Sequence, residues 1–175
     1  MFESKYHMSL HNNILWAKRN LIDSIWKYTI DEINAVNDLK HAWQFLLDNI
    51  ENPVDLPFTK KLYLHSAKSA VINTNLDENK ISRDLSELSK IPNPMDMALE
   101  IFLFFTRGQF FYDGNKRLAT LMTNKIMIQN GLGVFAVPIP LHTRFYQLLV
   151  GFYESQNKLP IKQFLYDNCI SGVSL

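Results

Sequence analysis

The chain has 175 residues, 47% of them hydrophobic and 20% charged, with a formal net charge of +1. That length suits one domain, 1–175, able to bury roughly 70% of its unfolded surface, and the near-neutral charge supplies no general drive toward nucleic acid or acidic membranes. Cys169 stands alone, so no intramolecular disulfide forms; the N-terminus lacks a secretion-signal pattern, and no apolar run approaches the ~18 residues of a membrane span. A cytoplasmic protein is the simplest expectation.

In chain order, Ile14, Leu21, Ile22 and Ile25 mark a first amphipathic helix. A short polar turn around Thr29-Ile30-Asp31 separates it from a second, on which Val36, Leu39, Trp43, Leu46, Leu47 and Ile50 keep helical spacing. Pro53 and Pro57 interrupt the chain, and a third helix is expected from Phe58 to about Ile72, with Pro57 in its first turn. From Asn73 to Asn93 the sequence turns polar and loses steady spacing. Ala98, Ile101, Phe102 and Phe105 then define a helix so apolar that it belongs at the centre. Another follows at Leu118, Leu121, Met122 and Ile126, closed at Asn130-Gly131. The stretch from Gly133 to Val137 is too short and Pro-bounded for a helix. Leu141, Phe145, Leu148, Leu149 and Phe152 restore the spacing, and a last short helix is expected over Pro160 to Asn168. No repeat, linker or low-complexity segment is evident.

The chemistry concentrates in Gln109-Phe110-Phe111-Tyr112-Asp113-Gly114-Asn115-Lys116-Arg117. Asp113-Gly114-Asn115 lies between two apolar runs and reads as a loop feeding a helix. The first N–H groups of a helix lack intrahelical partners and carry the positive end of its dipole, so Gly114 and Asn115 can hold a phosphate by main chain. Lys116 and Arg117 add charge, the arginine as a planar fork and the lysine as a point charge. Asp113 fits such a site through a hard cation, since Mg²⁺ typically binds one or two carboxylates plus substrate phosphates. The same residues also fit a plainer role, in which Asp113 caps the helix while Lys116 and Arg117 are solvated surface charge. No His, Cys, Asp or Glu cluster has zinc-ligand spacing.

These residues resemble the Fic (filamentation induced by cAMP) family with its Doc branch, whose motif reads His-Pro-Phe-x-(Asp or Glu)-Gly-Asn-(Gly or Lys)-Arg. Phe111, Asp113, Gly114, Asn115, Lys116 and Arg117 match it in order and spacing, and similarity runs more weakly from about Leu21 to Phe164. The resemblance implies an all-α Fic-type helical bundle with a small β-hairpin flap. It also implies adenylyltransferase chemistry, in which AMP passes from ATP to a hydroxyl of a target protein, whereas the Doc branch moves a phosphate. It places Mg²⁺ on Asp113, the anion hole at Gly114 and Asn115, the phosphate grip on Arg117, and ATP or another nucleotide as ligand. Phe111 resembles the phenylalanine that plugs the loop into the core. Lys116 is the Doc-type residue at its position and leaves the orientation of the nucleotide open.

The departure lies at the front, where Gln109 holds the place of the family's histidine and Phe110 that of its proline. In relatives the histidine is the general base. A glutamine amide has no basic nitrogen, and losing a positioned base typically costs about 10² to 10⁴ in rate. Phosphoryl chemistry also draws on metal, positioning and anion stabilisation, so residual transfer is compatible with the substitution. His7, His11, His41, His65 and His142 are all distant in sequence, and none can be set beside Gln109 from sequence; a lone histidine such as His65 is more often structural.

The family's flap, its dock for the target polypeptide, has its counterpart at Asn79-Lys80-Ile81-Ser82-Arg83, where an extended strand would align a target segment by strand addition; an ordinary surface loop is the plainer reading. The family's inhibitory pattern, (Ser or Thr)-x-x-x-Glu-(Gly or Asn), is met only at Thr74-Asn75-Leu76-Asp77-Glu78-Asn79, a place that argues against that job. Two function classes follow. One is a weak or altered transferase in which Gln109 merely orients the acceptor. The other is a catalytically silent domain that binds nucleotide, a target protein or an antitoxin. No nucleic-acid or membrane partner is expected, and homodimers are a family expectation.

Overall fold

The computed structural model describes residues 1–26, 33–66 and 77–173. Among these, eight α-helices and one small sheet follow in order: α1 (Leu10–Trp26), α2 (Ile33–Asp48), α3 (Leu56–Ser66), α4 (Glu78–Leu88), α5 (Pro94–Gly108), α6 (Asn115–Gln129), β1 (Val134–Phe135), α7 (His142–Ser155), α8 (Leu159–Asn168) and β2 (Ile170–Ser171). The expected all-α bundle is therefore the observed architecture. The turn at Thr29-Ile30-Asp31, and the third helix beyond Ser66, lie outside the described residues.

Local signals explain where the helices begin. Asp55 accepts from the Phe58 N–H at 2.8 Å to open α3, and Asn93 accepts from the Asp96 N–H at 2.9 Å to open α5, with Pro94 in its first turn. Asp77 caps α4 by accepting from the Lys80 N–H at 3.0 Å. That helix corrects the sequence-based expectation of an extended flap: Lys80, Ile81, Ser82 and Arg83 all lie on α4. Ile81 and Leu85 are buried and Leu88 packs against the core, so the stretch carries one narrow apolar stripe at helical spacing within an otherwise polar run. With its backbone bonded along the helix, the segment offers no strand edge.

The sheet is elsewhere. β1 pairs antiparallel with β2, Val134 opposite Ser171 and Phe135 opposite Ile170, joining the end of α6 to the end of the chain. It is not a hairpin of neighbouring strands.

At the centre is α6, packed along α5 and touching α1, α2, α3 and β1. Every residue from Leu118 to Ile128 is buried, polar ones included. A buried polar group must find a partner, and these do. Thr123 donates to the Ala119 carbonyl at 2.7 Å. Asn124 donates to the Phe135 carbonyl and accepts from the Phe135 N–H, both at 2.8 Å, which fixes β1 against the helix. Lys125 donates to the Ile50 carbonyl at 2.6 Å, with its ammonium 4.6 Å from the Phe58 ring centre.

Burial pulls the Lys125 amine down to about 8 from its ordinary 10.5, against an opposing pull from Asp55. A depressed lysine binds fewer protons folded than unfolded, so its contribution to stability rises with pH between those two values. We therefore expect the unfolding free energy of the wild type, minus that of Lys125→Met, to be flat below pH 7 and to climb toward pH 10. Urea denaturation at the two pH values checks this, and a flat difference would mean the folded amine stays charged.

Candidate functional site

Helix α5 ends at Gly108, and Gln109 follows in the left-handed region with φ 47°. Its side chain turns back to donate from Nε2 to the Thr106 carbonyl at 3.3 Å, a carbonyl that also accepts from the Tyr153 hydroxyl at 2.7 Å. Phe110 folds over Gly108, where a Cβ would come within 2.2 Å of the ring, and packs against Phe104 with ring centres 4.8 Å apart. Only glycine leaves that space.

The next turn is closed by Asn115. Its Oδ1 accepts from the Phe111 N–H at 3.0 Å while its Nδ2 donates to the Phe111 carbonyl, so one buried side chain clasps both polar groups of a residue four positions earlier. Phe111 is itself buried and stacks on Tyr63 with ring centres 3.5 Å apart. The Tyr63 hydroxyl donates to the Asp113 carbonyl at 3.1 Å. Burial raises the Tyr63 phenol, the Asp113 carboxylate raises it further, and Arg117 opposes both.

Gly114 then adopts φ 73°, a conformation most side chains avoid, and α6 begins. Its first backbone bond runs from the Leu118 N–H to the Gly114 carbonyl at 2.9 Å, which leaves the N–H groups of Asn115, Lys116 and Arg117 ahead of the helical ladder. No side chain caps this end. Asp113 thus does not act as the cap of the plainer sequence reading. Its largely exposed carboxylate instead meets Arg117 Nη2 at 3.2 Å, one turn on, and the guanidinium is mostly covered. An exposed pair of this kind contributes little to stability.

Gln109, Asp113, Gly114, Asn115, Lys116 and Arg117 all line one cleft of about 330 Å³. The side chain of Asn115 is occupied by Phe111, so its offering to an anion is its main-chain N–H. The opposite wall comes from α7, through His142, Phe145 and Tyr146. Lys116 bridges the two walls, its ammonium 5.7 Å from the Tyr146 ring centre. His142 and Tyr146 are the site residues that sequence reasoning missed. Their one signal is the four-residue spacing on α7, directly after Pro138-Ile139-Pro140, which places both on one helical face.

Other expected residues fall apart from this cleft. Lys80 lines a second groove of about 480 Å³ with Leu103, Phe104, Arg107 and Phe110, Ile81 is buried, and Ser82 and Arg83 line neither cavity. Glu78 pairs with Lys60, not with Arg117, so the described part of the inhibitory pattern lies away from the arginine; Thr74, Asn75 and Leu76 fall outside the described residues. His65 stacks on Phe45 with ring centres 4.4 Å apart. Among the described residues no group of three His, Cys, Asp or Glu side chains converges on a metal position.

No protein-family model matches the sequence, and neither does any curated protein. Among solved structures the chain is similar to Fic-1 (amino acids 134–508) from C. elegans, with a TM-score of 0.61 over 93% of this chain at 17% sequence identity. The fold is the Fic fold. The chain spans 58% of that 134–508 segment. On this Fic fold, the arch from Gln109 to Gly114 joins the two most intimately packed helices, α5 and α6, and the cleft opens where α7 faces the arch.

The clasp of Asn115 gives a direct test. Asn115→Ala leaves a buried N–H and a buried carbonyl of Phe111 without partners, and we expect a loss of about 2 to 4 kcal/mol in denaturant unfolding. Lys116→Ala, exposed on the same turn, should change stability by no more than about 0.5 kcal/mol. Equal effects would show that the arch is held by something else.

Proposed function

We propose that the cleft binds the phosphates of a nucleotide, ATP or a close relative, together with Mg²⁺, and that turnover by AMP transfer is weak or absent. The observation that carries this reading is the convergence of three N–H groups ahead of the α6 ladder, the Arg117 guanidinium and the exposed Asp113 carboxylate on one cleft. Phosphate suits the N–H groups and the arginine fork. Mg²⁺ suits a single accessible carboxylate that can share it with phosphate oxygens. The Arg117–Asp113 contact would then open, the arginine turning to phosphate and the carboxylate to the cation. When bound, Mg²⁺ would neutralise phosphate charge. At the far wall, the exposed ring of Tyr146 offers a flat face of the kind a nucleobase uses.

Transfer to a protein hydroxyl needs a group that accepts its proton. Gln109 stands at the end of the arch with its amide nitrogen donating to Thr106, and an amide has no proton affinity near neutral pH. Its remaining task is to orient an acceptor hydroxyl. This favours the silent, ligand-binding class over the fast transferase, with a target protein or antitoxin as the partner that reads occupancy. Fic-1 of C. elegans shares the fold, and the nucleotide part of this reading rests on the cleft residues and on their resemblance to the Fic motif.

Calorimetric titration with ATP and Mg²⁺ should show binding that Arg117→Ala weakens about 10- to 100-fold, the range of a charge-assisted contact. Incubation with labelled ATP and cell lysate should give little labelling in the wild type. Gln109→His should raise it by about 10² to 10⁴. Absence of binding, unchanged by Arg117→Ala, would remove the ligand-based reading altogether.

A further inference from the structure

Resting on that reading, we propose that His142 is a ligand-binding residue of the cleft, whose imidazolium serves the bound phosphates as a third cation beside Lys116 and Arg117. Of the five histidines, His142 alone lines the cleft. Its Nε2 lies 3.3 Å from the Val137 carbonyl oxygen. A carbonyl only accepts, so Nε2 carries hydrogen whether the ring is neutral or charged. Nδ1 is then the atom that changes, from a lone pair to an N–H donor. The ring keeps the Val137 contact in both states, and gaining the proton requires no reorientation.

The surroundings decide which state a ligand favours. From the start of α6, the cleft presents Lys116 and Arg117 against the single carboxylate of Asp113, and Tyr112 adds a neutral phenol from the arch. From α7 come the neutral phenol of Tyr146, whose ring centre is 6.2 Å from that of His142, and the apolar Phe145; Arg144, exposed on the same helix, is a further cation. From α5 comes only the apolar Phe102. Without ligand, the two cations of α6 face the single carboxylate of Asp113. A polyphosphate entering the cleft reverses that balance, so ligand and proton favour each other's binding. The Tyr146 ring, in contact with both Lys116 and His142, links the two cations along one wall.

The test is the affinity of the wild type and of His142→Gln for ATP with Mg²⁺ by calorimetry at pH 6 and pH 8. Titration of the nucleotide's own phosphate is common to both proteins and cancels in the comparison. We expect the wild-type affinity ratio between the two pH values to exceed that of the variant by about five- to tenfold, the effect of a proton that the imidazole takes up with the ligand. Imidazole NMR of the wild type, with the other histidines as internal controls, should show the His142 signal alone titrating at higher pH once ATP and Mg²⁺ are added. Binding with equal pH ratios, or a His142 signal that does not move, overturns the assignment while sparing the nucleotide site. Failure of the wild type to bind at either pH overturns both.

Discussion

Everything in the cleft hangs on the clasp between Asn115 and Phe111. A chain that leaves one buried helix and enters another within a few residues must turn sharply while its backbone is partly out of water. The polar groups at the turn then need partners that the helices cannot provide. Asn115 meets this from inside α6, satisfying the Phe111 N–H and carbonyl with one side chain, while the Phe111 ring is pressed against Tyr63 of α3. The tyrosine hydroxyl then holds the Asp113 carbonyl. Three successive anchors leave the main chain at Gly114 little choice of path. The main chain of the arch is thus held at successive points, and the Asp113 carboxylate is left exposed.

The same economy appears along α6. A helix buried on every side ordinarily consists of apolar residues, yet this one carries Thr123, Asn124 and Lys125 within a single turn. Each reaches a different neighbour: the helix's own backbone, the β1 strand and the loop after α2. The helix is therefore fixed in rotation by hydrogen bonds as well as by packing, because a slip of one residue would strand Asn124 and Lys125. Orientation matters more here than raw stability. The side chains of Lys116 and Arg117 reach the cleft only in one rotational setting.

How much of this was legible in the sequence depended on how far each feature reaches along the chain. Helices α2, α5 and α7 announced themselves through apolar spacing, and the cradle from Asp113 to Arg117 was readable because its parts are contiguous. The central burial of α6 was hidden, since threonine, asparagine and lysine look like surface residues until their partners are known. Helix α4 was missed because Ile81, Leu85 and Leu88 are a thin stripe in a polar stretch, and the family resemblance drew the reading toward a strand. His142 and Tyr146 were invisible as site residues for a different reason. They reach the cleft only through the packing of α7, and their four-residue spacing gives a shared face without saying what that face meets.

Position 109 explains how a site of this kind can keep its shape while its chemistry changes. Gln109 sits outside the clasp: neither Asn115, Phe111 nor Tyr63 bonds to it, and its left-handed backbone serves to end α5. Its side chain contacts the Thr106 carbonyl, which Tyr153 also satisfies, so exchange at this position leaves no buried group without a partner. After glycine, asparagine, aspartate and histidine are the residues that best tolerate such a backbone, and nothing in the arch offsets a glutamine there. The shape of the cleft belongs to residues 111 to 117, and the side chain at 109 is structurally independent of it. An exchange of side chain at 109 therefore leaves the arch and the start of α6 as they are.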